Sequence, residues 1–121
     1  MDAILSVHGR VAAALVLYYA AIGAWGLWLG VRRTGPTPGF RGAIAIAVIA
    51  SIVQGALGLV VLVSGRPPQD SLHLLYGVAL VVAMPLAASL VHDRSARGQS
   101  LALGVAALFT AGLAIRGIIT S

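Results

Sequence analysis

Four long apolar blocks, separated by short segments rich in arginine, glycine and proline, constrain what this chain can fold into. The blocks run from about residue 4 to 31, 42 to 63, 68 to 91 and 99 to 119. Each is about as long as, or longer than, the roughly 20 residues that an α-helix needs to cross a bilayer. None shows the alternation of apolar and polar residues that is typical of a membrane β-barrel. The pattern therefore predicts four transmembrane helices.

Composition supports this prediction. The chain is 60% hydrophobic and 9% charged, whereas a soluble domain carries about 25% charged residues. Its net charge of +5 comes from eight arginines, which lie at the block edges and form no stripe, so we expect a lipid bilayer and no nucleic acid as partner. The absence of cysteine excludes disulfides, thiolate metal sites and thiol catalysis.

The short connections predict an all-α, up-down-up-down transmembrane bundle forming one domain over residues 1–121. Pro68 suits a first helical turn, so the third helix is expected to begin near it, with a kink at Pro85. Orientation in the cell (inner) membrane follows from arginine placement. Segments 32–41 and 92–98 carry five of the eight arginines and are expected to be cytoplasmic. Both termini and the 64–70 loop are then outside.

Polar residues inside apolar blocks are costly in lipid, so each is a candidate for function. The candidates are His8, Arg10, Gln54, His73 and Arg116, with the tyrosines, above all Tyr76, as weaker members. No acidic residue lies well inside a block, which argues against proton-coupled transport. Small four-helix drug exporters have a similar length but depend on a buried glutamate, and this chain has none.

His8 and His73 are expected at similar depth, because the first and third helices of an up-down bundle run parallel. Two histidines facing each other across a bundle can bind a haem iron from both faces. Small residues such as Gly77, one turn beyond His73, would leave room for the porphyrin. Arg10, Arg66 or Arg116 could pair with its propionates.

Each of these residues also has a purely structural interpretation. A histidine near a helix end often lies only in the headgroup zone, and an arginine there often extends to the interface. Gln54 can hydrogen-bond a neighbouring helix, and Tyr76 can be a packing residue or border a haem edge. His92 lies at the opposite end and is interpreted as interfacial. Two histidines without a third ligand make a poor zinc or copper site.

Three short motifs resemble the haem A synthase family of oxidase-assembly proteins. One is the run 54–61 followed by His73-Leu74-Leu75 at the start of the next helix. The second is His8-Gly9-Arg10, similar to the family's histidine–arginine pair with one residue inserted. The third is the run 112–116, similar to the glycine and arginine that close the first helix of each family half. The resemblance implies that this chain is like one four-helix half, with His8 and His73 as axial ligands.

The sequence also departs from that family. Leu5 stands where its catalytic half carries a glutamate, and the cysteine-bearing outer loop is missing. We therefore expect a b-type cytochrome-like module that binds haem b, either for electron transfer or for haem holding, with no catalytic residues. Its partner is expected to be a larger respiratory or photosynthetic membrane complex or a second copy of the chain. The alternatives are a cofactor-free structural or assembly subunit and a dimeric haem-modifying enzyme.

Overall fold

The computed structural model describes all residues from 1 to 121 and consists of four α-helices. They are α1 (Asp2–Val31), α2 (Pro38–Val63), α3 (Leu72–Val91) and α4 (Ala96–Thr120). Each is long and apolar enough to cross a membrane. The prediction of an all-α four-helix bundle is confirmed.

The helices form a ring in chain order. α1 packs against α2 and α4, and α3 packs against the same two helices, so that α1 and α3 lie diagonally opposite without direct packing. The chain termini and the 64–71 loop share one end of the bundle, which we call the terminal end. Segments 32–37 and 92–95 share the other end, which we call the arginine-rich end because five of the eight arginines lie in or beside these segments.

All four helices begin at residues other than those expected, α1 by only two residues. α2 begins at Pro38, because the Thr37 side chain caps it by accepting a hydrogen bond from the backbone N–H of Phe40 at 3.1 Å. Ser95 caps α4 in the same way, through the N–H of Gly98 at 3.1 Å. The expected start of α3 near Pro68 was wrong. This helix begins at Leu72, whose N–H donates to Asp70 Oδ1 at 2.9 Å. α3 then continues through Pro85 to Val91 without interruption.

The closest approach between helices is that of α1 and α4. A Cβ placed on Gly104 would lie 2.8 Å from the backbone nitrogen of Leu27 and 3.0 Å from the carbonyl oxygen of Gly23. Only glycine permits such a distance between two backbones. Buried Ile22 and Leu103 pack beside this crossing as part of the apolar core.

A buried polar cluster joins α1 to α2. The hydroxyl of Tyr19, which is fully buried, lies 2.6 Å from Ser51 Oγ and 3.2 Å from the carbonyl oxygen of Ala47. Ser51 also donates to that carbonyl at 2.9 Å. The small residues of α2 therefore serve two purposes here, since they admit the tyrosine ring and supply its hydrogen-bond partners.

Hydrogen bonds and one ion pair close the two ends. At the terminal end, Arg66 pairs with Asp2 at 3.1 Å, and the N–H of Asp70 donates to the carbonyl of Thr120 at 3.3 Å. At the arginine-rich end, Arg97 Nε donates to the carbonyl of Gly30 at 3.0 Å. These contacts fix both ends of α4 against its neighbours and set the positions of the polar side chains described next.

Candidate functional site

The His8 and His73 side chains meet inside the terminal end of the bundle. Their ring centroids are 6.1 Å apart and the ring planes are inclined by 77°. The two residues come from α1 and α3, the diagonal pair that does not pack directly, so the imidazoles bridge the space between these helices. Both side chains are partly buried.

The ring of His73 is held in one tautomer. Its Nδ1 lies 2.7 Å from the carbonyl oxygen of Gly117 and 3.3 Å from Thr120 Oγ1. A carbonyl oxygen can only accept a hydrogen bond, so Nδ1 carries the proton. The Nε2 atom of the neutral ring is then left with a free lone pair. Histidines that bind metals are typically held through their other ring nitrogen in this way.

His8 lies against a glycine of α2. A Cβ placed on Gly58 would be 3.2 Å from His8 Cε1 and 3.8 Å from His8 Nε2, so a larger residue at position 58 would displace the imidazole. Gly58 therefore belongs to the site as the surface on which the His8 ring rests.

Gln54 connects α2 to the backbone beside His8. Its Nε2 donates to the carbonyl oxygen of His8 at 2.9 Å, and the residue is buried, with an exposed fraction of 7%. The buried side-chain atoms without a hydrogen-bond partner are His8 Nδ1 and Gln54 Oε1. The neutral imidazole can donate from Nδ1, and the amide oxygen can accept. His8 thus has a hydrogen-bond donor without a partner, and the neighbouring Gln54 has an acceptor without a partner.

The separation of the two rings is compatible with a metal ion between them. An imidazole nitrogen lies about 2 Å from the metal it binds, so two rings on opposite sides of one ion have centroids roughly 6 Å apart. No third histidine, cysteine or carboxylate joins the pair. A two-ligand set suits a haem iron, because the porphyrin supplies the other four positions. The donor type, the separation and the tautomer of His73 agree with this use.

The remaining predicted residues lie around the pair and not within it. Gly77 lies one turn beyond His73, and a Cβ there would meet no atom within 4 Å, so the space beside it is open. The guanidinium of Arg116 lies 5.6 Å from the centre of the Tyr76 ring. Arg10 is exposed, and it follows His8 by two positions, which places it on a different face of α1. Arg66 is already paired with Asp2.

Sequence reasoning missed three contributors, namely Gly58, Gly117 and Thr120. Gly117 acts through its backbone carbonyl, which every residue has, so no side-chain pattern identifies it. Thr120 lies 47 positions after His73, and only the tertiary contact between α3 and α4 brings them together. Gly58 lies one turn after Gln54 within the run 54–61 of the family resemblance, but that resemblance gave it no role.

The fold and the site define a class: an all-α bundle of four apolar helices with a histidine pair between its diagonal helices. Comparisons of the chain with protein families, with curated proteins and with solved structures gave no match. The function is therefore inferred from the geometry of this site.

Proposed function

We propose that the chain is a membrane haem-binding protein, a b-type cytochrome-like module in which His8 and His73 are the axial ligands. The observation that supports this most strongly is the separation of 6.1 Å between the two ring centroids, together with the proton held on His73 Nδ1 by Gly117. A bound haem b would supply reversible one-electron chemistry.

The protein's own residues would hold and orient the two ligands. The Gly117 carbonyl fixes the ring of His73 and leaves its Nε2 free to act as a ligand. Gln54 binds the backbone of His8 and offers its free Oε1 to the same residue. Two arginines at this end form no ion pair, Arg10 and Arg116. Arg10 lies on a different face of α1 from His8, so we assign the anionic propionates to Arg116.

The module would transfer electrons or hold haem within or beside a respiratory or photosynthetic complex, or as a homo-oligomer. This role is supported by the ligand set, because two axial histidines would leave no open iron position for a substrate. Converted haem in the extracted pigment would instead indicate a haem-modifying enzyme.

Titration of the purified protein with haem in detergent micelles tests the ligand assignment. The protein should give sharp low-spin absorption bands with one haem per chain. His8→Ala and His73→Ala should each lower the affinity by more than the roughly 10–100-fold that is typical of outer-shell changes. His92→Ala is the matched control, because this exposed histidine lies at the other end of the bundle. Failure of the unaltered protein to bind haem would favour the cofactor-free subunit.

We further propose that the terminal end faces outward from the cell membrane and that the arginine-rich end is cytoplasmic, since arginine is retained on the cytoplasmic side. The chain has no native cysteine, so single cysteines can report sidedness. In intact cells an impermeant maleimide should label Gln69→Cys and leave Thr34→Cys unlabelled. The opposite labelling pattern would reverse the orientation.

A further inference from the structure

A second region with binding geometry lies at the arginine-rich end, away from the histidine pair. α2 and α3 pack less closely than the other neighbouring helices, and a cleft of about 420 Å³ opens between them. Its walls are mainly apolar, with Ile44 and Val48 on α2 and Met84 and Pro85 on α3. This volume lies within the range of about 300–1,000 Å³ that small-molecule sites usually have.

The mouth of this cleft is polar. A smaller cavity of about 120 Å³ adjoins it and is lined by Arg41, His92 and Gln99. The two cavities share Arg41, Ala88 and Leu103, so they lie side by side. The polar cavity lies toward the end of the bundle, and the apolar cleft runs toward the middle of the helices.

Arg41 gives the mouth a positive charge. One guanidinium nitrogen donates to Gln99 Oε1 at 3.1 Å, and an arginine carries further donors that can bind an anion. The ring of His92 is held by donation from Nδ1 to the carbonyl of Ser89 at 2.7 Å, which leaves its Nε2 free. No aspartate or glutamate lines either cavity, so no carboxylate in the lining neutralises the Arg41 guanidinium.

We propose that this cleft binds an anionic phospholipid of the bilayer. The lipid phosphate would pair with Arg41 at the mouth, and one acyl chain would lie along Ile44, Val48 and Met84. A phosphate and an arginine form strong charge-assisted hydrogen bonds, and an acyl chain matches the apolar walls. This inference is independent of the haem proposal, because the two sites share no residue.

Native mass spectrometry of the full chain can test the headgroup assignment. The protein is released from micelles that contain phosphatidylglycerol or phosphatidylcholine with identical acyl chains. Both lipids carry a phosphate, but the choline cation of phosphatidylcholine offsets its charge, whereas phosphatidylglycerol keeps a net negative charge. We therefore expect one retained phosphatidylglycerol and about fivefold weaker retention of phosphatidylcholine. Arg41→Gln should abolish this preference. The control Arg33→Gln, which removes the same charge at the same end but outside the cleft, should keep it.

A filled cleft tests the acyl-chain assignment. Ala88→Phe places a ring in the shared part of the cavity and should lower phosphatidylglycerol retention about tenfold. Ala56→Phe, at an exposed position of α2 outside the cleft, should not. Equal retention of both lipids by the unaltered protein, or unchanged retention in both Arg41→Gln and Ala88→Phe, would overturn the proposal.

Discussion

The close crossing of α1 and α4 predicts a large and specific cost for adding one methyl group at Gly104. The new Cβ would lie 2.8 Å from the backbone nitrogen of Leu27, whereas ordinary contact begins near 3.4 Å. All three nearest atoms belong to the α1 backbone, so no side chain can rotate away. The two helices must separate by about half an ångström, which loosens packing along the whole interface.

The matched control for Gly104→Ala is Gly112→Ala in the same helix, where a Cβ would meet no atom within 4 Å. Both changes gain the same helix propensity, up to about 1 kcal/mol. Their difference therefore isolates the packing cost, which we expect to be about 1–3 kcal/mol, as for other overpacked sites.

Unfolding of both variants by a denaturing detergent in mixed micelles measures this difference. Tryptophan fluorescence is a suitable probe, because Trp25 packs edge-on against Phe40 with ring centroids 5.4 Å apart, next to the crossing. Gly104→Ala should unfold at lower detergent fraction than Gly112→Ala. Equal free energies of unfolding for the two variants would refute the assignment of Gly104 to a backbone contact.

Three further predictions concern single positions. Gly65 has a φ of +88° and open space around its Cβ, so Gly65→Ala should lower the free energy of unfolding by about 1 kcal/mol through backbone strain alone; an unchanged value would contradict this. Tyr19→Phe should cost about 0.5–1.5 kcal/mol, because the buried Ser51 hydroxyl loses its hydrogen bond with the tyrosine hydroxyl, and an equally or more stable variant would show that this bond contributes nothing. Gly58→Val should displace His8 and lower haem affinity by about 10–100-fold in the optical titration, and unchanged affinity would remove Gly58 from the site.

Much of the fold could be predicted because lipid imposes strong constraints on sequence. A bilayer demands long apolar helices, and short connections leave antiparallel neighbours as the solution. The same reasoning placed His8 and His73 at one level on parallel helices. Their approach to 6.1 Å agrees with that expectation, even though His73 is the second residue of α3 and not more than a turn inside it.

The first residue of each helix was harder to predict, because hydropathy does not identify the polar residues that cap a helix. Thr37-Pro38 and Ser95 are capping signals that the apolar pattern hides, since they lie before the uninterrupted apolar runs. The start of α3 depends on Asp70, whose side chain accepts the N–H of Leu72 and whose own N–H binds the end of α4. The second of these contacts is tertiary and leaves no local signal.

The partners of the candidate ligands and the α2–α3 cleft were also out of reach of the sequence. The contact that fixes His73 uses the backbone of Gly117, and backbone groups are the same in every residue. The cleft results from looser packing between two helices whose apolar residues resemble those of the tighter pairs. Sequence periodicity gives no measure of that difference, because all sides of these helices are apolar.

Electron paramagnetic resonance of the ferric haem complex tests the histidine pair most directly, because the signal reports the number and orientation of axial imidazoles. Two axial histidines should give a low-spin signal, with the strong anisotropy that near-perpendicular rings produce, since the rings here are inclined by 77°. The signal should be lost in His8→Ala and in His73→Ala and kept in His92→Ala. A high-spin signal from the unaltered protein, or a low-spin signal that survives loss of either His8 or His73, would contradict the proposed haem site.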